Sequence, residues 1–221
     1  MAEISPPSFS SLGLRERKKA MTRQAIVETA KRLFEERGFS QVTVAEISDS
    51  ANVSVKTLFT YFDSKDDLLF EDEKKLCHSI LEGIRNRKSG ESPFDATKII
   101  LWNLIHSINP EAILESLEGF HKCMETPELS SRLLSLWEKY EKELATLLAE
   151  ETESDPTDPL PKIVAVQLIS IFRLLGSSEL KAYLEPIPPA MRQRALEKWL
   201  GRSLELIGGG IKNFALKQKE T

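Results

Sequence analysis

The chain has 221 residues, 41% hydrophobic and 29% charged, enough to bury a core without disulfides and to fill one large or two small domains. No apolar run approaches the roughly 20 residues of a membrane-spanning helix, so no membrane partner is expected and the cytoplasm is the expected location. The net charge of −4 excludes a polycation that coats nucleic acid, yet leaves room for a small basic patch.

Residues 1–14 contain Pro6, Pro7 and several serines but no apolar signal core, and read as a disordered leader. The two cysteines, Cys77 and Cys123, stand in unrelated contexts and read as free thiols. A zinc ligand set is not apparent: Cys77 and His78 are neighbours and would point about 100° apart on a helix. No metal and no cofactor are expected. Between Arg15 and Arg23 lie Arg15, Arg17, Lys18, Lys19 and Arg23 against Glu16 alone, which suits a solvated helix face and a DNA-contacting arm equally.

The predicted elements are almost all helical, because runs of β-branched residues alternating with polar ones are missing. From Arg15 to Arg37, Ile26, Ala30, Leu33 and Phe34 form one apolar stripe, and Gly38 ends the helix. Thr43 and Glu46 form a capping box for a short helix to about Ala51, with Val44 and Ile47 inward. Asn52 and Val53 make a turn, and Ser54 caps a second short helix to about Phe62. Ser64 then caps a long helix running to about Arg87.

The segment Ser89-Gly90-Glu91-Ser92-Pro93 reads as a linker. Helices follow over about 94–107, 111–125 and 128–151, with Pro110 and Pro127 at first turns. An exposed loop covers 151–161, and a last pair of helices spans about 162–184 and 190–214, the latter loosened at Gly208-Gly209-Gly210. The expected fold is all-α, about nine helices, with boundaries at 15–63 (helix-turn-helix domain), 64–88 (connecting helix) and 89–221 (helical bundle).

Two short helices joined by a tight turn have helix-turn-helix geometry, whose second helix enters the major groove. Leu58 and Phe62 anchor that helix, while Lys56, Thr57 and Thr60 face outward and Val55 can touch a thymine methyl. An ordinary amphipathic surface helix has the same pattern. The next helix adds a conflict: Lys65 stands at its first position, where the macrodipole disfavours a cation. An external anion such as a DNA phosphate would resolve it, and a lysine snorkelling to solvent is the alternative.

The string Ile26-x-x-x-Ala30-x-x-Leu33-Phe34-x-x-x-Gly38-Phe39, then Thr43-Val44-x-Glu46-Ile47, then Ala51-x-Val53-Ser54-x-x-Thr57-Leu58-Phe59-x-Tyr61-Phe62-x-Ser64-Lys65-x-x-Leu68-Leu69 resembles the N-terminal domain of the TetR family of bacterial regulators. Ser48-Asp49 departs from the family pattern, which often has alanine and a longer polar residue there. The resemblance implies phosphate contacts from Thr43 and Ser54, base contacts from Val55, Lys56 and Thr57, groove-flanking Phe59 and Thr60, and backbone clamping by Tyr61 and Lys65. It also implies a repressor; no enzymatic activity is expected, because no phosphate-cradling glycine loop, metal-binding histidine pair or Ser or Cys nucleophile in a recognised setting is found. The pattern Pro127-Glu128-Leu129, with a helix ending in Leu147-Leu148-Ala149-Glu150, is similar to actinobacterial members with an acyl-CoA-type ligand domain.

Between Ile163 and Leu175 only Gln167, Ser170 and Arg173 are polar. So apolar a helix needs cover on several sides: from a second copy, in a four-helix interface with Met191, Ala195, Trp199 and Ile207, or from its own core. A two-fold dimer would match a palindromic operator. Residues that combine apolar bulk with a polar tip, Trp102, His106, His121, Met124, Trp137, Tyr140 and Arg173, are candidates for a small hydrophobic ligand, and each also suits plain core. A DNA-bound protein answering to a protein partner instead of a ligand is the second reading.

Overall fold

The computed structural model describes residues 13–216 except residue 125, and only the backbone of residue 123. The expected leader lies outside the described residues but for its last two positions, and Leu14 already opens the first helix. The Cys123 thiol also lies outside them. The described residues are all-helical, with eleven α-helices and no strand. They fall into two compact units that divide after Glu71, inside the segment expected as a connecting helix.

The first unit holds α1 (Leu14–Arg37), α2 (Val44–Ser50), α3 (Val55–Tyr61) and α4 (Lys65–Leu69). Ile26, Val27, Ala30, Leu33 and Phe34 of α1 are buried, joined in the core by Val42, Ile47, Leu58, Phe62 and Leu68. Gly38 takes φ +81°, a backbone that a side chain would strain, and donates its N–H to Phe34 O at 2.8 Å. Asn52 has φ +53° in the turn between α2 and α3.

The second unit contains α5 (Glu71–Arg85, from its second residue on), α6 (Pro93–Ser107), α7 (Ile113–Cys123), α8 (Pro127–Glu151), α9 (Leu160–Arg173), α10 (Ser178–Leu184) and α11 (Pro189–Ile211). Two of the expected nine helices are broken, which accounts for eleven. The long helix from Ser64 is interrupted at Phe70, which is buried and caps α4 by donating to Asp66 O at 3.1 Å. The helix expected over 162–184 breaks at a 3₁₀ turn, Leu174–Gly176, after which Ser177 caps α10. A Cβ on Gly176 would stand 3.1 Å from the Phe120 ring, so α7 presses on this turn.

Two further expectations are corrected. Pro110 precedes α7 by three residues instead of starting it, while Pro127 does open α8. Helix α11 runs unbroken through Gly208, Gly209 and Gly210. Gly208 is a contact point: a Cβ there would be 2.7 Å from Phe94 Cζ, so the missing side chain lets α6 approach. The supposed linker after α5 is a tied turn. Arg87, 5% exposed, donates to both carboxylate oxygens of Glu151, at 3.1 and 2.6 Å, and to the carbonyls of Ile84, Glu91 and Ala215. Ser92 and Asp95 then form a capping box that starts α6.

Helix α9 is a core helix. Val164, Ala165, Leu168, Ile169, Ile171 and Phe172 are each at most 3% exposed within the single chain, covered by α8, α11 and α6. Its own chain covers that part of its apolar surface, while Leu160 and Ile163 stay exposed at 51% and 46%. Among the described residues no single helix is long and apolar enough to cross a membrane. Cys77 on α5 is fully buried, and that burial pushes its thiol pKa up to about 12.

Candidate nucleic-acid interface and ligand cavity

Helix α3 is short and anchored by one face. Leu58 is fully buried and Phe62, its C-cap, is 3% exposed, whereas Val55, Lys56, Phe59 and Thr60 stand on the solvent side. Two large apolar side chains in that set, Val55 at 41% and Phe59 at 49%, stay substantially exposed. Ser54 Oγ accepts from the Thr57 N–H at 3.0 Å and lies 2.8 Å from the Thr57 hydroxyl. The Thr60 hydroxyl donates to Lys56 O at 3.0 Å. Caps and back-bonds thus hold the hydroxyls along the helix, leaving the Lys56 side chain exposed.

The start of α2 is built more tightly. Thr43 and Glu46 complete their capping box, with the Thr43 N–H donating to Glu46 Oε2 at 2.8 Å and the Glu46 N–H donating to Thr43 Oγ1 at 3.2 Å. Arg37 from the end of α1 adds a 2.8 Å bond to Glu46 Oε1. The Thr43 hydrogen bonds, followed by the Arg37 guanidinium, hold the Glu46 carboxyl down at about 2.

Lys65 corrects the argument from the helix dipole. Its Nζ donates to Phe39 O and to Val42 O, both at 2.9 Å, and sits 4.0 Å from the centre of the Phe39 ring. The acceptors that offset its unfavourable place on α4 come from the turn before α2, so no external anion is required. Burial pushes this ammonium below the usual lysine range. Arg23, from the basic stretch of α1, is likewise turned inward. It pairs with Glu71 and bonds Tyr61 O at 2.8 Å.

In the second unit a cavity of about 460 Å³ opens among α5, α6, α7, α8 and the turn after α9. Its wall is apolar, dominated by Leu104, Leu117, Phe120, Trp137 and Phe172, with Glu73, Ser116 and Arg173 as the polar members. Arg173 is held by a 3.3 Å contact with Glu141, which is 7% exposed.

Residues 26–71 match the family model of bacterial regulatory proteins, tetR family. Over most of its length the chain is 27% identical to the transcriptional regulator TcmR of Streptomyces glaucescens, across 79% of this chain and 80% of that protein. Over residues 26–71 the chain thus carries the N-terminal domain of the TetR family of regulators. IcaR of Staphylococcus aureus, a negative transcriptional regulator of a biofilm operon, is 30% identical over 40% of this chain and 48% of that protein. The solved structure of SmeT in complex with triclosan shares the fold, with a TM-score of 0.50 and 17% identity over 90% of this chain and 96% of that one. Such relatives are DNA-binding regulators, and the chain is a regulator, not an enzyme.

On this TetR-family frame the expected DNA-contacting residues fall into two groups. Thr43, Ser54, Val55, Lys56, Phe59 and Thr60 are exposed, whereas Thr57, Tyr61 and Lys65 are half-buried. Of the expected ligand residues, only Trp137 and Arg173 line the cavity. Trp102 lines a separate groove of α6 and α11, and exposed His106 bonds Trp102 O and pairs with Glu197 at 3.2 Å. His121 bonds Gly176 O at 2.9 Å, and neither it nor Met124 nor Tyr140 is among the lining residues. The search for polar-tipped aromatics missed Glu73 and Phe120. Only the meeting of α5 and α7 in space brings those two together.

Proposed function

We propose that this regulator is a homodimeric repressor that reads a palindromic operator through α3 and releases it when a small hydrophobic ligand fills the cavity of the second unit. The cavity carries the reading. A space of about 460 Å³ with an apolar wall and three polar side chains has the size and lining of a small-molecule site. The protein-partner reading would be favoured by a closed second unit, which this cavity does not fit. An acyl chain, suggested by the pattern of α8, and a compact aromatic molecule, as in the SmeT–triclosan complex, are the two ligand shapes to test.

For DNA, Val55, Lys56 and Thr57 face the bases while Thr43, Ser54 and Tyr61 hold phosphates, with Phe59 and Thr60 flanking the groove. Phosphate contacts set register and base contacts set sequence. Lys65 supports this surface from behind. A cytoplasmic location follows from the same reading, since the operator is genomic.

The test begins with genome-wide capture of bound DNA. Acyl-chain and aromatic compounds are then titrated against the captured operator complex, with Trp137 fluorescence reporting occupancy. A compound that quenches Trp137 and releases DNA in the same concentration range supports the proposal. Occupancy that leaves operator affinity unchanged overturns it.

A further inference from the structure

We propose that the Arg23–Glu71 ion pair is the positioning device of the reading helix, holding the C-terminal end of α3 so that its exposed face meets base edges in register. The proposal rests on the reading of α3 as the groove-entering element.

One guanidinium makes four contacts. Arg23 Nε donates to Glu71 Oε1 at 3.0 Å and Nη2 donates to Glu71 Oε2 at 2.7 Å, a two-pronged ion pair. Nη1 donates to Tyr61 O at 2.8 Å, and the guanidinium carbon lies 4.3 Å from the centre of the Phe62 ring. Tyr61 is the last residue of α3, so this bond takes up one of the carbonyls that a helix end leaves without an internal partner. Phe62 is the extended residue that ends the helix. Arg23 therefore grips the end of α3 by backbone and by ring.

Glu71 makes the grip rigid. Its side chain is 4% exposed, and separating a buried carboxylate from a charged partner is costly, so the pair stays closed. With seven residues, α3 is about 10 Å long, and a small shift of its end swings the exposed residues off their targets. Leu58 fixes the depth of the helix. The ion pair fixes its direction.

The rival role for Arg23 is a direct phosphate contact, because its side chain is 40% exposed. The two roles separate by salt. A phosphate contact carries the same weight on every sequence and its loss lowers the slope of log affinity against log salt by about one. A positioning residue leaves the slope alone and affects only the sequence that needs alignment.

The experiment uses the full chain as wild type, Glu71→Gln, Arg23→Gln, Arg23→Lys and Lys56→Ala. The DNA is the best-bound duplex selected from a random pool by the wild type, with a scrambled duplex of equal length. Expected for Glu71→Gln and Arg23→Gln is a drop of about ten-fold in the ratio of the two affinities, with scrambled-duplex affinity and salt slope as in wild type. Arg23→Lys, which keeps the charge but cannot bridge Glu71 and Tyr61, falls between, and it decides the matter if the other two unfold. Melting curves read beside binding confirm that each variant is native at the assay temperature. Equal losses on both duplexes, a reduced salt slope for Arg23→Gln, or an unchanged ratio overturn the proposal. If Lys56→Ala also keeps the wild-type ratio, it is the assignment of α3 as reading helix that fails.

Discussion

At Lys65 two carbonyl oxygens and an aromatic ring answer a charge that the helix dipole alone would repel. The residue string shows the conflict but not the answer, since Phe39 and Val42 lie more than twenty positions upstream. Hydrogen bonds to a charged group are worth about 1.5–3 kcal/mol each when part-buried. Lys65→Met should therefore destabilise the DNA-free protein by about 1–3 kcal/mol, measured by denaturant unfolding. A purely phosphate-binding lysine would leave that midpoint unmoved. Ser48 offers the opposite case. Its hydroxyl is fully buried and its Oγ has no hydrogen-bond partner among the described residues, at the position where the family resemblance expects alanine. Ser48→Ala should raise stability by about 1 kcal/mol, from the relieved hydroxyl and the better helix former. A lower melting temperature would contradict this account.

Among the elements, periodicity and caps located nearly every helix, and tertiary contacts decided where they break. The capping boxes follow local rules: Thr43 with Glu46 is legible as a spacing, and Ser92 with Asp95 follows the same pattern, though Gly90 and Pro93 made that stretch read as a linker. The interruptions at Phe70 and Gly176 are not local. One burial pulls Phe70 inward, and the other break presses against Phe120. The glycine run of α11 is the reverse error, because weak helix propensity is overridden by close packing. Gly208→Ala would place a methyl against Phe94 and should destabilise by about 1–3 kcal/mol, whereas Gly209→Ala, with open space around it, should stabilise by about 0.5–1 kcal/mol. Thermal unfolding of the two variants side by side tests the contrast. A similar response from both would show that Gly208 is not a packing contact.

At the scale of the whole molecule, the dimer proposed for this regulator gains little from α9, most of whose apolar residues are buried in its own chain while Leu160 and Ile163 stay exposed. The exposed apolar residues that remain on α11 are Leu206, 83% exposed, and Met191, 57% exposed. We expect Leu206→Glu to give a monomer by sedimentation, with native helix content and much weaker operator binding, because one reading head forfeits the paired half-site. A dimer of unchanged affinity would move the interface elsewhere.

The helix-turn-helix was readable from residues because each of its parts is local: a stripe at helical spacing, a capping hydroxyl, a left-handed asparagine in the turn and a glycine stop. The rest depended on which distant side chains the fold brings together. The cavity combines Glu73, Phe120, Trp137 and Arg173 from separate helices, and the pair that holds α3 joins Arg23 to a glutamate 48 positions away. Neither Coulomb attraction nor apolar cover acts along the chain, so no spacing rule could have announced either one.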